Sequence, residues 1–200
     1  MLDDKSLEEI KKNVALLRNE EEISKKENNK KLVDFYIENS LVSLNTAKLL
    51  DSVSNDVSIK KKFDFIDDSF EAHLWIINTS YYSMFYMAGA LLAKIGVKVK
   101  SSIGIHSKTF QAFVYYFYLS NKIAKQYVEE FKEAQEESQE LLGLMQKKAK
   151  ELMVKYDFEM DKRAKFTYNI GLKAKEDKAK TSLNRAIEFY NECLRIMDKL

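Results

Sequence analysis

Proline is absent from all 200 residues and glycine occurs only five times. Ordinary usage of about 5% would supply roughly ten prolines. A chain this poor in breakers reads as all-α. Cys193 is the only cysteine, which excludes an internal disulfide or a cysteine-based zinc site and fits a reducing cytoplasm. The two histidines, His73 and His106, show no repeated carboxylate–histidine spacing, so the sequence implies no metal and no cofactor. Glycine-rich phosphate loops, Ser-His-Asp ordering and paired catalytic carboxylates are also missing. Net charge is only +2, so any case for a nucleic-acid partner rests on local clustering. The opening MLDDKSLEE is acidic and lacks the apolar core of a secretory signal, and the expected location is cytoplasmic.

One long uncharged run is present, Leu74 to Ala93. It is long enough to cross a bilayer. However, Asn78, Thr79, Ser80, Ser83 and three tyrosines would need partners in lipid, so the run is expected to be the buried central helix of a non-membrane protein. Asp68-Ser-Phe-Glu71 reads as its capping box and Gly96 as its left-handed stop. Ahead of it, a charged helix over 6–27 opens with Ser6-Leu-Glu-Glu9, and a second helix over about 31–54 places Leu32, Phe35, Tyr36, Ser40, Leu41, Leu44, Ala47 and Leu50 on one face. Beyond it come the loop GVKVKSSIGIHSK, a short aromatic helix capped by Ser107, and a helical pattern from Asn121 to Tyr156 that is either one long helix or two broken near Gly143. A segment bearing Arg163 and a final helix over about 176–197 follow. The expected organisation is an N-terminal helical appendage, 1–29, and a helical bundle, 30–200.

Four stretches in this order, SYYSMFYMAGALLAKIGVKVKSSIGIH, the aromatic helix, RAKFTY and EDKAKTSLNRAIEFY, carry a resemblance. Together they resemble the HEPN (higher eukaryotes and prokaryotes nucleotide-binding) superfamily, closest to its small prokaryotic stand-alone branch. Ser80, Tyr81, Tyr82, Met84, Phe85 and Gly96 match the central-helix pattern, His106 the histidine opening the next helix, and Arg163 with Tyr168 an arginine five residues ahead of a tyrosine. The resemblance spans roughly residues 32–197. It implies an up-and-down bundle of four to five core helices, with the N-terminal helix and a long helical extension as additions. It also implies a homodimer, nucleotide or RNA as ligand, and a nucleotidyltransferase partner in a toxin–antitoxin-like setting. Active members are metal-independent endoribonucleases carrying Arg followed after four to six residues by His. Here no histidine follows His106, and Tyr168 occupies the place where the histidine would stand.

Cleavage through a 2′-hydroxyl needs a base titrating near neutrality and a cation on the phosphate. Arg163 suits the second role, because a guanidinium presents a planar fork that lysine lacks. Tyr168, with a reference pKa of about 10, is a poor base but a good donor to phosphate. Residues 147–180 hold 11 Lys or Arg against six Asp or Glu, and the candidate nucleotide or RNA contacts are Arg163, Lys162, Lys165, Tyr168 and Asn78. Two readings of Arg163 stand side by side: an anion contact, or an ion pair with Glu159 one helical turn earlier. His106 is either a cap or packing residue or a catalytic group, since in an RNase Arg163 would work with His106 or Tyr168 in place of the missing histidine. Asn78, polar on an apolar helix, needs a partner, either Arg163 or a tyrosine hydroxyl. The expectation is a binding module without strong catalysis, with a metal-independent RNase and a protein-interaction bundle as alternatives.

Overall fold

The computed structural model describes residues 2–156 and 172–200, with side-chain surroundings for 2–143 and 176–200. The described residues form a mostly helical bundle with one small two-stranded ribbon. In chain order they are α1 (Asp4–Asn19), β1 (Ile23–Lys25), α2 (Lys30–Asn55), α3 (Val57–Lys60), α4 (His73–Lys94) and β2 (Val97–Val99). Then follow α5 (Ile105–Phe113), a π-helical turn (Val114–Tyr118), α6 (Lys125–Tyr156) and α7 (Leu172–Met197). The expected all-α class is thus observed, and α6 is one continuous helix through Gly143.

α4 is the central element, packed most extensively against α2 and α7 and also touching α5, α6 and β2. Its apolar residues surround the axis, so it buries surface on several sides at once. Small residues let α2 come close. Ser40 Oγ donates to the Ser83 carbonyl at 2.8 Å, and the Tyr36 ring lies over Gly89. Across the bundle, Phe113, Phe117, Phe131 and Phe189 are fully buried, and Phe131 and Phe189 stand 5.3 Å apart. These rings join α5, the π turn, α6 and α7 into one core, each burial contributing about 1.5–3 kcal/mol.

Several local signals resolve differently from their sequence reading. The cap of α1 is Asp3, whose carboxylate accepts from the Ser6 amide at 2.8 Å, and the helix stops at Asn19 rather than continuing to residue 27. Asp68 does not cap α4. That helix starts at His73 without a side-chain cap, and the Ala72 amide donates instead to Ser54 Oγ on α2. Gly104, with φ of 81°, precedes α5 where Ser107 was expected to cap. Asn121 adopts φ of 56° in a turn, and α6 begins four residues later. Phe35 and Leu41 face solvent, although their spacing on α2 suggests the core face.

The loop after α4 is partly strand. β2 pairs antiparallel with β1 in the register Ile23↔Val99, Ser24↔Lys98 and Lys25↔Val97. Ile23 and Val97 turn inward to the core. Gly96 makes the approach possible: its φ is 77°, and a Cβ there would lie 2.0 Å from the Lys26 carbonyl oxygen. The Lys26 amide donates to the Gly96 carbonyl at 2.7 Å, and at the other end the Lys100 amide donates to the Glu22 carbonyl at 2.8 Å. α1 reaches the same core, with Val14 fully buried.

Candidate functional site

Asn78 and Tyr81, three residues apart, share one face of α4, and that face meets α5 and α6. Asn78 finds its partner on α6, where Ser138 Oγ donates to Asn78 Oδ1 at 2.7 Å. This is neither of the two partners expected for it. One turn further along α4, the Tyr81 hydroxyl lies 2.7 Å from His106 Nδ1. The imidazole, near the start of α5, sits among the rings of Tyr81, Tyr82 and Phe85, with Phe85 closest at 4.5 Å between centroids. Tyr81 also packs against Phe131 of α6. Two of the sequence-selected residues, Asn78 and His106, are therefore brought to one face of the central helix through Ser138 and Tyr81.

Burial sets the proton positions in this cluster. It pushes the Tyr81 phenol well above its usual range, so the hydroxyl keeps its proton. It also lowers the His106 imidazole, which is neutral at pH 7. A phenol O–H is a better donor than an imidazole N–H, so Tyr81 donates and Nδ1 accepts. The second ring nitrogen, Nε2, then carries the imidazole proton. In this arrangement the His106 lone pair is already engaged and the ring is walled by aromatics. His73, the other histidine, is buried at the start of α4, with Nε2 3.7 Å from Glu71.

Arg163, Tyr168, Lys162 and Lys165, together with Glu159, lie outside the described residues, within the 157–171 stretch that joins α6 to α7. The arginines on described segments have distinct roles. On α7, Arg185 donates to Glu133 at 2.6 Å and stands 3.5 Å from Glu137, tying that helix to α6. Arg195 pairs with Glu192 at 2.5 Å. Beside Arg185, Glu130 is half-buried, and its carboxyl is raised above its usual range, first by burial and then by the Glu188 charge.

Arg18 has a different setting. It joins Lys25, Lys26, Lys98 and Lys100 around a cleft of ≈ 660 Å³ over the β1–β2 ribbon, where Glu21 is the one lining carboxylate among the described residues. The neighbouring Glu22 is occupied: it accepts from Lys108 Nζ at 2.7 Å and from Ser102 Oγ at 2.6 Å, and these contacts hold its carboxyl at about 2. Sequence reasoning missed this basic cluster, because its two halves are more than 70 residues apart in the chain and only strand pairing joins them. The alternation Val-Lys-Val-Lys at 97–100 was the available signal.

The fold and these sites define a helical bundle with a buried Tyr–His pair and a basic two-stranded ribbon. Among the described residues no helix is long and apolar enough to cross a membrane, and no cluster of three or more potential metal ligands occurs. Comparisons with protein-family models, with curated proteins and with solved structures return no match to this chain.

Proposed function

We propose that this chain is a HEPN-like helical module that binds nucleotide or RNA phosphate through Arg163, Tyr168, Lys162 and Lys165 and has no strong catalytic activity. The observation that carries the choice of binding over cleavage is the Tyr81–His106 hydrogen bond at 2.7 Å. A general base needs a free lone pair on a group titrating near the working pH. His106 has its lone pair engaged by Tyr81, and burial lowers its basicity. The phosphate contact itself is supported by the excess of five positive charges over residues 147–180.

A homodimer is part of this proposal, with a nucleotidyltransferase as the partner class implied by the resemblance. Phe35, Val42 and Leu49 are each more than half exposed and recur every seven residues along α2. That spacing gives a narrow apolar seam of the kind helices use to pair. Antiparallel self-pairing centred on Val42 sets Phe35 against Leu49 of a second copy. It also brings Asp34 near Lys48 and Lys31 near Asp51, so the flanking charges are complementary.

The test is fluorescence anisotropy with labelled RNA and, separately, labelled ATP, alongside incubation with RNA in EDTA. Salt-sensitive binding that Arg163→Ala weakens, with RNA left intact, is the expected result. Unchanged binding in Arg163→Ala overturns the proposal. Cleavage abolished by that substitution transfers the assignment to the metal-independent RNase. For the dimer, Val42→Glu is expected to halve the mass measured by light scattering, and a wild-type monomer removes that part of the reading.

A further inference from the structure

The outward face of the ribbon gathers three lysines and a serine by strand pairing. Ser24 and Lys26 alternate outward on one strand, and Lys98 and Lys100 on the other, with Ser24 directly opposite Lys98. Arg18, at the C-terminal end of α1, closes one side of the cleft. Among the described residues, Arg18, Lys25, Lys26 and Lys98 make no ion pair, whereas Lys100 pairs with Glu22 at 3.5 Å. Four cations without an ion pair, against Glu21 as the lining carboxylate among the described residues, form a local positive field in a chain whose net charge is +2.

The shape selects the ligand. Outward positions two residues apart on a strand are separated by ~6.7 Å, a spacing comparable to that of successive phosphates along an extended nucleic-acid strand. Lys26 and Lys98 also line a second, smaller cleft of ≈ 270 Å³, where Glu27 and Asn29 stand beside them, so these two lysines border both clefts. Among the described residues no aromatic side chain lines either cleft; of the apolar lining, Ile23, Ala93 and Val97 are buried and Leu32 is partly buried. A lipid surface would call for exposed apolar side chains beside the cations, and base stacking would call for rings.

We infer that the β1–β2 ribbon is a sequence-independent binding site for the phosphodiester backbone of single-stranded RNA, with Arg18, Lys26, Lys98 and Lys100 as its phosphate contacts. None of these residues belongs to the Arg163 segment, and the inference rests on no contact made by that segment.

The test uses the full-length chain with a fluorescein-labelled oligouridine, followed by anisotropy across a potassium chloride series. The charge-reversed variant Lys26→Glu/Lys98→Glu alters two exposed side chains, and circular dichroism checks that it folds. Removing two phosphate contacts lowers the slope of log affinity against log salt by about 1.4, at ~0.7 per single-strand contact. The accompanying loss of affinity at low salt is expected to be tenfold or more. A folded double variant with unchanged slope and affinity overturns the inference. So does wild-type chain that binds phosphatidylserine vesicles but not oligouridine. Arg163→Ala measured in parallel separates the two readings. Binding lost only in the lysine variant supports the ribbon and removes the Arg163 proposal, whereas binding lost only in Arg163→Ala does the reverse.

Discussion

Gly96→Ala tests whether the ribbon is held by the close approach of two backbones. Two costs arise there. An alanine at φ of 77° sits in the left-handed region, at about 1–2 kcal/mol. Its Cβ would also stand 2.0 Å from the Lys26 carbonyl oxygen, at least 1 Å inside any contact that real Cβ atoms make. Backbone cannot swing aside as a side-chain tip can, so β1 must move. That movement breaks the 2.7 Å bond from the Lys26 amide to the Gly96 carbonyl and loosens the adjacent ladder bond. Two such bonds add about 1–3 kcal/mol. Gly104→Ala is the control, since it has a similar φ of 81° but its nearest atom is the Lys108 Cε at 3.8 Å. It should lose only the left-handed share, about 1–2 kcal/mol. Urea unfolding followed by circular dichroism measures both variants, and Gly96→Ala should be the less stable by about 1–3 kcal/mol. Equal destabilisation of the two would refute the argument that ribbon contact, and not local backbone conformation, fixes glycine at position 96.

Three further outcomes are expected. Phe189→Ala leaves a hole between Phe113 and Phe131, whose ring centroids lie 5.6 and 5.3 Å away; it should cost about 3–5 kcal/mol in denaturant unfolding, and a loss below that of an exposed substitution would contradict the core described. Tyr81→Phe removes the donor that favours neutral His106, so the imidazole pKa should rise in the variant, as read by NMR titration, and a fixed or falling value would reverse the assigned donor direction. In the wild type, burial lowers His106 on folding. The stability it contributes is therefore fully present above the unfolded pKa of about 6.5 and declines as pH falls from there to the folded value. Chemical denaturation from pH 7 downward should show that decline, less steep in Tyr81→Phe.

The sequence by itself determined the helical class. The lack of proline, the apolar periodicity of the α2 and α7 regions and the uncharged run of α4 are local properties, and each limits its own segment to a helix. The end of α4 was legible because the left-handed conformation favours glycine at position 96. Part of the site was legible on similar grounds. A polar Asn78 on an apolar helix demanded a partner, and His106 stood out as one of only two histidines.

What satisfied those demands was decided by packing. Ser138 is 60 residues from Asn78, and Tyr81 is 25 from His106. No local pattern specifies which neighbour lies across a helix interface. The caps show the same limit: Asp68 heads a good capping box, but the Ala72 amide took Ser54 of α2 instead. The ribbon is the clearest case. Two strands of three residues carry almost no individual signal, and a strand's hydrogen bonds are completed only by another strand. Tertiary structure paired Ile23–Lys25 with Val97–Val99, and in doing so it gathered lysines from two distant stretches into one cleft. A helix closes its own hydrogen bonds and can be read from its own residues, whereas a strand pair and a charged groove exist only once the chain has folded back on itself.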